Sequence, residues 1–462
     1  MIIADAMNSG SEFNWQLAEK IADAVVFKKT GKHLSDIEVK VLQGSWEGKS
    51  YQEIAEMYSY QESYINKDVG NKLWKKLSKG LGEQVSKNNF QRALFREWER
   101  TRQQWVVGDV GRRESVTNGK IEFPDKPVQW DSPFYVERYR VESECYEEVL
   151  CPGALIRIRA PENMGKTSLL NGILAQAALA GCYKVHLNLR GAEAQAFGSL
   201  ERFLRWFSAN VSLALEQELR LDDYWEKNSG SMQNCKRYFQ KYILPKLDHP
   251  LVLGLDNVDR VFEYGEIAQD FLAMLRNWHE EANQFDIWQS FRLVMANSTE
   301  VYIKLDANQS PFNVGLPIRL PGFTLEQVQN LARLYGLAET EIGQLAELRD
   351  LVGGHPFLVQ LALYKLGRRD VTLRELLRDA ATQGGIYGSH LRHHWHNLQN
   401  QPVLATAMER VVMADTKVKL EPILAYKLES MGLVELVGDE VMVSCDLYLQ
   451  YFRNSFRTKE QI

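Results

Sequence analysis

Apolar and polar positions follow two rhythms along this chain. Four short runs are dense in branched apolar residues: Leu155, Ile156 and Ile158 interleaved with Arg157 and Arg159; Cys182–Leu189; Leu251–Leu255, closing on Asp256; and Phe291–Ala296, closing on Asn297-Ser298-Thr299. Runs of that length and composition predict strands of a largely buried parallel sheet. Between and after them the period is helical. Ser168–Leu179 and Phe323–Leu366, the latter with Leu325, Val328, Leu331, Ala332 and Leu334, predict packed helices. In the tail, helices at Val403–Ala414 and Leu420–Met431 precede Gly432–Val443, a hairpin turning at Gly438-Asp439, so that Gly385–Phe456 reads as a winged helix.

The first 102 residues are helical throughout. Leu34–Leu42 forms one helix, Gly48-Lys49-Ser50 a turn, and Ser50 with Glu53 a capping box opening a second helix. Tyr60–Leu77 predicts a third, with Tyr64, Ile65, Val69, Leu73 and Leu77 inward. From Gln103 to Gln129 apolar spacing lapses and Gly108, Gly111, Gly119, Pro124 and Pro127 mark a linker. The expected organisation is therefore multidomain, α and α/β: a helical domain over 1–102, a linker over 103–130, a sheet-containing core over 131–322, a helical lid over 323–384 and a winged helix over 385–462.

The chemistry concentrates at the end of the first strand. Ala160–Thr167 is an eight-residue loop ending in Gly165-Lys166-Thr167, with a helix following at once. Residues Pro161, Glu162, Asn163, Met164, Gly165 and Ser168 at such a helix start form a cradle for phosphate, in which all but Pro161 offer a backbone N–H, helped by the helix dipole. Lys166 would reach the outer phosphates and the Thr167 hydroxyl would ligate Mg²⁺. Asp256, at the end of a buried strand, would hold the same ion through water, and Ser298 would sense the terminal phosphate. The pattern is that of a P-loop nucleotide-binding core. Two positions depart from it. Ala160 stands where a first glycine is usual, and Asn257 follows Asp256 where a water-activating glutamate is common. Both predict binding with weak or slow hydrolysis. Asp259 lies further along the turn. Arg260, Arg276 and Arg292 are candidate arginine fingers. Gly48-Lys49-Ser50 is a decoy because no strand precedes it.

Asp131–Glu142 (DSPFYVERYRVE), APENMGKTSLL, LVLGLDNVDRVF, SPFNVGLPIRLPGF and GGHPFLVQLAL together resemble the AAA-like ATPases common in cyanobacteria, relatives of the STAND signalling ATPases and of origin-recognition AAA proteins. The resemblance spans about residue 131 to 455. It implies that Tyr135-Val136-Glu137-Arg138 packs on adenine and that Gly354-His355-Pro356 in the lid contacts the nucleotide. It further implies an ATP/ADP and Mg²⁺-dependent switch, closed with ADP and open or assembled with ATP. An ATP-dependent homo-oligomer and a separately encoded protein effector are the partners it suggests.

The N-terminal order of helix, turn and capped helix resembles the helix-turn-helix of sigma-factor region 4 and of response regulators. Its third helix would offer Gln61, Glu62, Ser63, Asn66 and Lys67 to a major groove. Residues 67–102, including Lys72, Lys75 and Lys76, carry ten basic against four acidic side chains, enough for several phosphate contacts with duplex DNA. Such modules also serve as protein docking units, and Glu62 would repel phosphate, so a transcriptional regulator and a protein adaptor stay open as alternatives. Net charge of −5 excludes whole-chain coating of nucleic acid. Five scattered cysteines without CxxC spacing fit reduced thiols in a cytoplasmic protein, and no run is long and apolar enough for a membrane span. His390, His393, His394 and His396 read as a partly exposed helix face, with no carboxylate or cysteine at ligand spacing. Tyr448–Phe452 reads as core or docking surface, and Glu421 cancels Lys427 on the second helix of the tail module.

Overall fold

The computed structural model describes residues 15–298 and 311–459, apart from 31–33, 47, 59, 82–84, 88, 92, 95, 96 and 98–121. Thr299, which follows the expected sensor Ser298, and most of the expected linker lie outside the described residues. The chain divides into two compact units, one up to Lys120 and one from Ile121 onward.

In the first unit, helices α1 (Trp15–Thr30), α2 (Asp36–Trp46) and α3 (Tyr51–Met57) enclose a core with Ile21, Val41, Leu42 and Ile54 at its centre. Gly48, at φ +78°, makes the turn into α3, and Ser50 caps that helix reciprocally with Glu53. A third helical stretch follows, but not as one uniform helix. Tyr64–Gly70 is π-helical and α4 (Asn71–Leu81) continues it. Ile65, Val69, Leu73 and Leu77 face inward, whereas Tyr64 is exposed and stacks loosely on Tyr60. The widened π turn rotates the helix face, so a strict 3.6-residue period carried through residue 64 places that side chain on the wrong side.

The second unit is built around a five-stranded parallel sheet among the described residues, in the order β2-β3-β4-β1-β5. Its strands are β1 (Leu155–Arg159), β2 (Tyr183–Asn188), β3 (Leu251–Asp256), β4 (Phe291–Asn297) and β5 (Leu316–Arg319). The central β3 and β4 are buried along their whole length, as continuous apolar runs in a parallel sheet should be. Side chains alternate across the sheet into two cores. Leu155, Leu253 and Leu293 join one with α7 (Leu200–Ala214) and α8 (Gly265–Glu281). Ile156, Val252 and Val294 join the other with α5 (Tyr139–Glu148) and α6 (Lys166–Leu179). Gly254 lets α6 sit this close: a Cβ there would meet Leu174 at 2.9 Å and Leu170 at 3.0 Å.

The lid begins with α9 (Leu325–Leu334) and α10 (Pro356–Gly367). The tail follows as α11 (Gly388–Gln399), α12 (Pro402–Met413), α13 (Pro422–Ser430), the antiparallel hairpin β6 (Val434–Val437) and β7 (Glu440–Val443), and α14 (Asp446–Lys459). Val418 adds a bridge to Val441, completing a winged-helix layout. One hydrophobic core runs from Phe323 to Phe456 without interruption, so lid and winged helix pack as one body. Tyr448, Tyr451 and Phe452 belong to it.

Candidate functional site

Five polar or charged residues meet at the carboxyl edge of the sheet because the register aligns the strand ends. Arg159 stands opposite Asn297 and Arg319, and Asn188 opposite Asp256. The loop after β1 turns there through Asn163 (φ +60°) and Gly165 (φ +94°) into the start of α6. Lys166 is 9% exposed and donates from Nζ to the carbonyls of Ala160 (2.8 Å) and Pro161 (2.7 Å). Burial pushes its pKa down to about 8, against the pull of Asp259, Glu162 and Asp256. The Thr167 hydroxyl donates to Asp256 Oδ2 at 2.8 Å, and the Asn257 N–H donates to Asp256 Oδ1 at 2.9 Å. Burial works against the Asp256 charge, but nearby His186, Thr167 and the Asn257 amide outweigh it and hold the carboxyl below its usual range. Thr167 and Asp256 thus place a hydroxyl and a carboxylate side by side, oxygen donors of the kind Mg²⁺ would take.

These groups line a cleft of about 570 Å³ together with Glu162, Asn163, Gly165, Ser168 and Ser298. Tyr135, Val136, Arg138, Phe134, Phe357 and Pro356 form a more apolar side. Arg138 has a role beyond contact with a ligand. It is 8% exposed, donates to the carbonyls of Met164 (2.8 Å) and Pro321 (3.2 Å) and lies over the Phe323 ring, fastening the loop to the lid. Gly354 acts at one remove: its carbonyl accepts from Phe323 N–H at 2.7 Å, and its φ of +68° leaves no room for a Cβ beside Phe323. Pro161 and Met164 line a different cavity. Asp259 accepts from Ser298 N–H through both oxygens, at 2.8 and 3.0 Å, which ties it to the β4 end.

A family model for an AAA-like domain matches residues 123–454. The chain belongs to the AAA-like domain family. Residues 13–97 match the vWA-MoxR associated protein N-terminal HTH. The AAA-like unit is similar in fold to the Walker-type ATPase paby2304 of Pyrococcus abyssi, with TM-score 0.53 and 12% identity over 72% of this chain and 100% of that one. The ORC2 protein of Aeropyrum pernix, solved as ADPNP-ADP complexes, aligns with TM-score 0.43 and 14% identity over 74% of this chain and 99% of its own. Among curated proteins, the uncharacterized WD repeat-containing protein slr0143 of Synechocystis is 24% identical over 211 residues, 43% of this chain. This chain spans 17% of that protein's length.

Several lining residues of the AAA-like cleft escape a sequence reading. Phe123, Pro124, Lys126 and Val128 line it although their prolines and lapsed periodicity mark a linker. Phe123 packs edge-on against Tyr364 of the lid. Asn188 and Arg190 line the phosphate end. Their signal is their place at the end of β2 and in the turn just after it, at the edge where ligands gather. The three arginines expected as fingers are otherwise engaged. Arg260 pairs with Glu263 and touches Tyr264, Arg276 pairs with Glu280, and Arg292 holds the carbonyls of Leu150 and Cys151 at the opposite end of the sheet.

The winged helix of the AAA-like unit seats directly on the phosphate loop. A Cβ on Gly432 would meet Pro161 at 2.9 Å, and Glu429 of α13 bridges Arg159 (2.9 Å) and Arg319 (3.2 Å). Between them lies a second cavity of about 350 Å³ that also reaches Ser298, His355 and Tyr448.

The histidines form the partly exposed helix face their spacing suggests, with His393 and His396 exposed and the other two turned inward. His394 is 6% exposed, His390 bonds Tyr448 Oη at 2.7 Å, and their rings sit 4.6 Å apart beside His355. Among the described residues no group of three or more His, Cys, Asp or Glu is arranged to hold a metal. Burial holds His355, His390 and His394 at about 3, below the ordinary 6.5. Between those values the unfolded chain binds protons that the folded one refuses. Stability is therefore complete above about pH 6.5 and is lost as pH falls toward 3. The thermal midpoint should fall steadily below pH 6.5, with a shallower slope in His394→Phe; equal slopes would contradict the histidine origin.

In the helix-turn-helix unit, Ser63, Lys67, Lys72 and Lys75 are exposed and Asn66 is half-buried. Lys76 turns inward to Glu38 at 2.7 Å and is committed to the fold. Lys72 stands 3.9 Å from Asp68.

Proposed function

We propose that this chain is an ATP- and Mg²⁺-binding molecular switch with weak or slow hydrolysis, in which nucleotide state governs how the winged helix sits on the phosphate loop. The observation that carries this reading is the phosphate loop itself, with Lys166 and the Thr167–Asp256 pair on one side and Pro161 under Gly432 on the other. A ligand in the cleft and the winged-helix module thus share one loop. The Lys166 ammonium, released from the loop carbonyls, would meet the outer phosphates. The loop amides would take the inner ones, and Thr167 with Asp256 would hold Mg²⁺, the ion that neutralises phosphate charge. Tyr135, Phe357 and Pro356 supply an apolar wall for a base. Weak turnover follows from Asn257. It is held at φ +54°, donates from Nδ2 to Asn188 Oδ1 at 3.1 Å, and lacks a carboxylate to take a proton from water.

A second reading is a helix-turn-helix DNA-binding regulator in which nucleotide is structural. The exposed Ser63, Lys67, Lys72 and Lys75 along one helical stretch favour it. One experiment addresses both. Light scattering is recorded with ADP and with a non-hydrolysable ATP analogue, with and without duplex DNA, alongside phosphate release. Growth in mass with the analogue and slow release support the switch. Salt-sensitive duplex binding indifferent to nucleotide favours the second reading, and absence of any nucleotide binding refutes the first.

A further inference from the structure

We propose that Arg190 is the cation that recognises the terminal phosphate of a nucleoside triphosphate and makes the cleft discriminate tri- from diphosphate. This rests on the nucleotide reading above. Arg190 follows β2 in a single 3₁₀ turn, Leu189–Gly191. Its N–H donates to Asn188 Oδ1 at 2.9 Å, and the same oxygen accepts from Asn257 Nδ2 at 3.1 Å. Asn188 in turn stands in register with Asp256. The backbone at Arg190 is therefore fixed to the Mg²⁺ end of the site, while the side chain stays 60% exposed and lines the cleft with Lys166, Thr167 and Asp256.

Charge decides what this arginine is for. Its ion-pair partner is Glu162 of the phosphate loop at 3.5 Å, and that carboxylate is itself half exposed. So long and solvated a contact is weak, and a phosphate of higher charge density displaces it. Arg190 and Lys166 line the same cleft. Two cations that repel across one cleft are a cost to the empty protein and a gain once a polyanion lies between them. The loop amides take the inner phosphates and Lys166 reaches the outer ones from the α6 side of the cleft. Arg190 lines the cleft on the side of Glu162 and would add a second cation for the terminal phosphate. Glu162 then sets the sign of the effect: while Arg190 covers it the loop tolerates an added anion, and uncovered it repels one. Arg260, Arg276 and Arg292 are engaged elsewhere, as described above.

The test measures affinity of the full chain for Mg-ADP and for a non-hydrolysable Mg-ATP analogue by calorimetry. Arg190→Ala should weaken the analogue about tenfold or more while ADP stays within about twofold, with Arg190→Lys partly restoring the difference. Glu162→Gln should do the reverse, tightening the analogue severalfold. An equal loss of both ligands in Arg190→Ala, or no loss of either, overturns the assignment while leaving the nucleotide site standing. A wild-type chain that binds neither ligand overturns the site and this assignment together. Thermal melts of the apo variants confirm folding, which an exposed side chain at this position should not alter.

Discussion

Replacing Lys166 with alanine should all but abolish nucleotide binding, a loss of about thirtyfold or more, while the apo protein keeps its fold. The ammonium is 9% exposed and in the empty cleft bonds only loop carbonyls. Truncating one partner of a desolvated charge pair costs about 2–5 kcal/mol, and every 1.4 kcal/mol is about tenfold in affinity. The apo fold has little to lose. Burial already depresses the lysine pKa to about 8, so below that pH the folded state carries a charge it disfavours. Ligand at a hundred times its Kd stabilises a protein by about 2.7 kcal/mol. A melting scan with Mg-ATP analogue should therefore show an upward shift in wild type and a much smaller one in Lys166→Ala. Undiminished ligand-induced stabilisation in the variant would remove Lys166 from the site.

Breaking the Glu429 bridge should loosen the winged helix. Glu429 and Arg159 are each 16% exposed, and the same carboxylate holds Arg319. Removing one partner of a buried pair costs about 3–5 kcal/mol because the other charge is left behind, and partial exposure lowers the expectation here to roughly 2 kcal/mol. Glu429→Ala should accelerate hydrogen exchange across β6, β7 and α13 and speed nucleotide release. Glu429→Ala with Arg159→Met should recover much of the loss, since the buried cation is gone and the remaining Arg319 is 69% exposed to water. If the double variant is no better than the sum of the single ones, the bridge is not what seats the module.

Much of this could be read from residue order. The four strand runs, Gly165-Lys166-Thr167 opening a helix, and Asp256 closing a buried strand are local patterns, fixed by periodicity and by what a loop must be to approach phosphate. The capping box at Ser50 and Glu53 and the hairpin turn at Gly438 are equally local. β5 was less legible: four residues with only Ile318 well buried carry too short an alternation to stand out.

Chain composition and spacing thus determined which elements form and that a phosphate loop sits at a strand end, because those outcomes depend on neighbours within a few turns. What meets that loop was decided by the tertiary structure alone. Residues 123–128 look like linker yet line the cleft, since only the lid 240 residues away supplies Tyr364 for Phe123 to pack on. Tyr64 turns outward because a π turn shifts the helical phase. His390 and His394 of α11 turn inward because α14 and His355 pack against them, while His393 and His396 stay exposed. Arg190 was one arginine among many until strand register placed β2 beside β3 and set Asn188 against Asp256. Contacts between distant segments depend on how layers stack, and a one-dimensional pattern carries each side of such a contact without its partner.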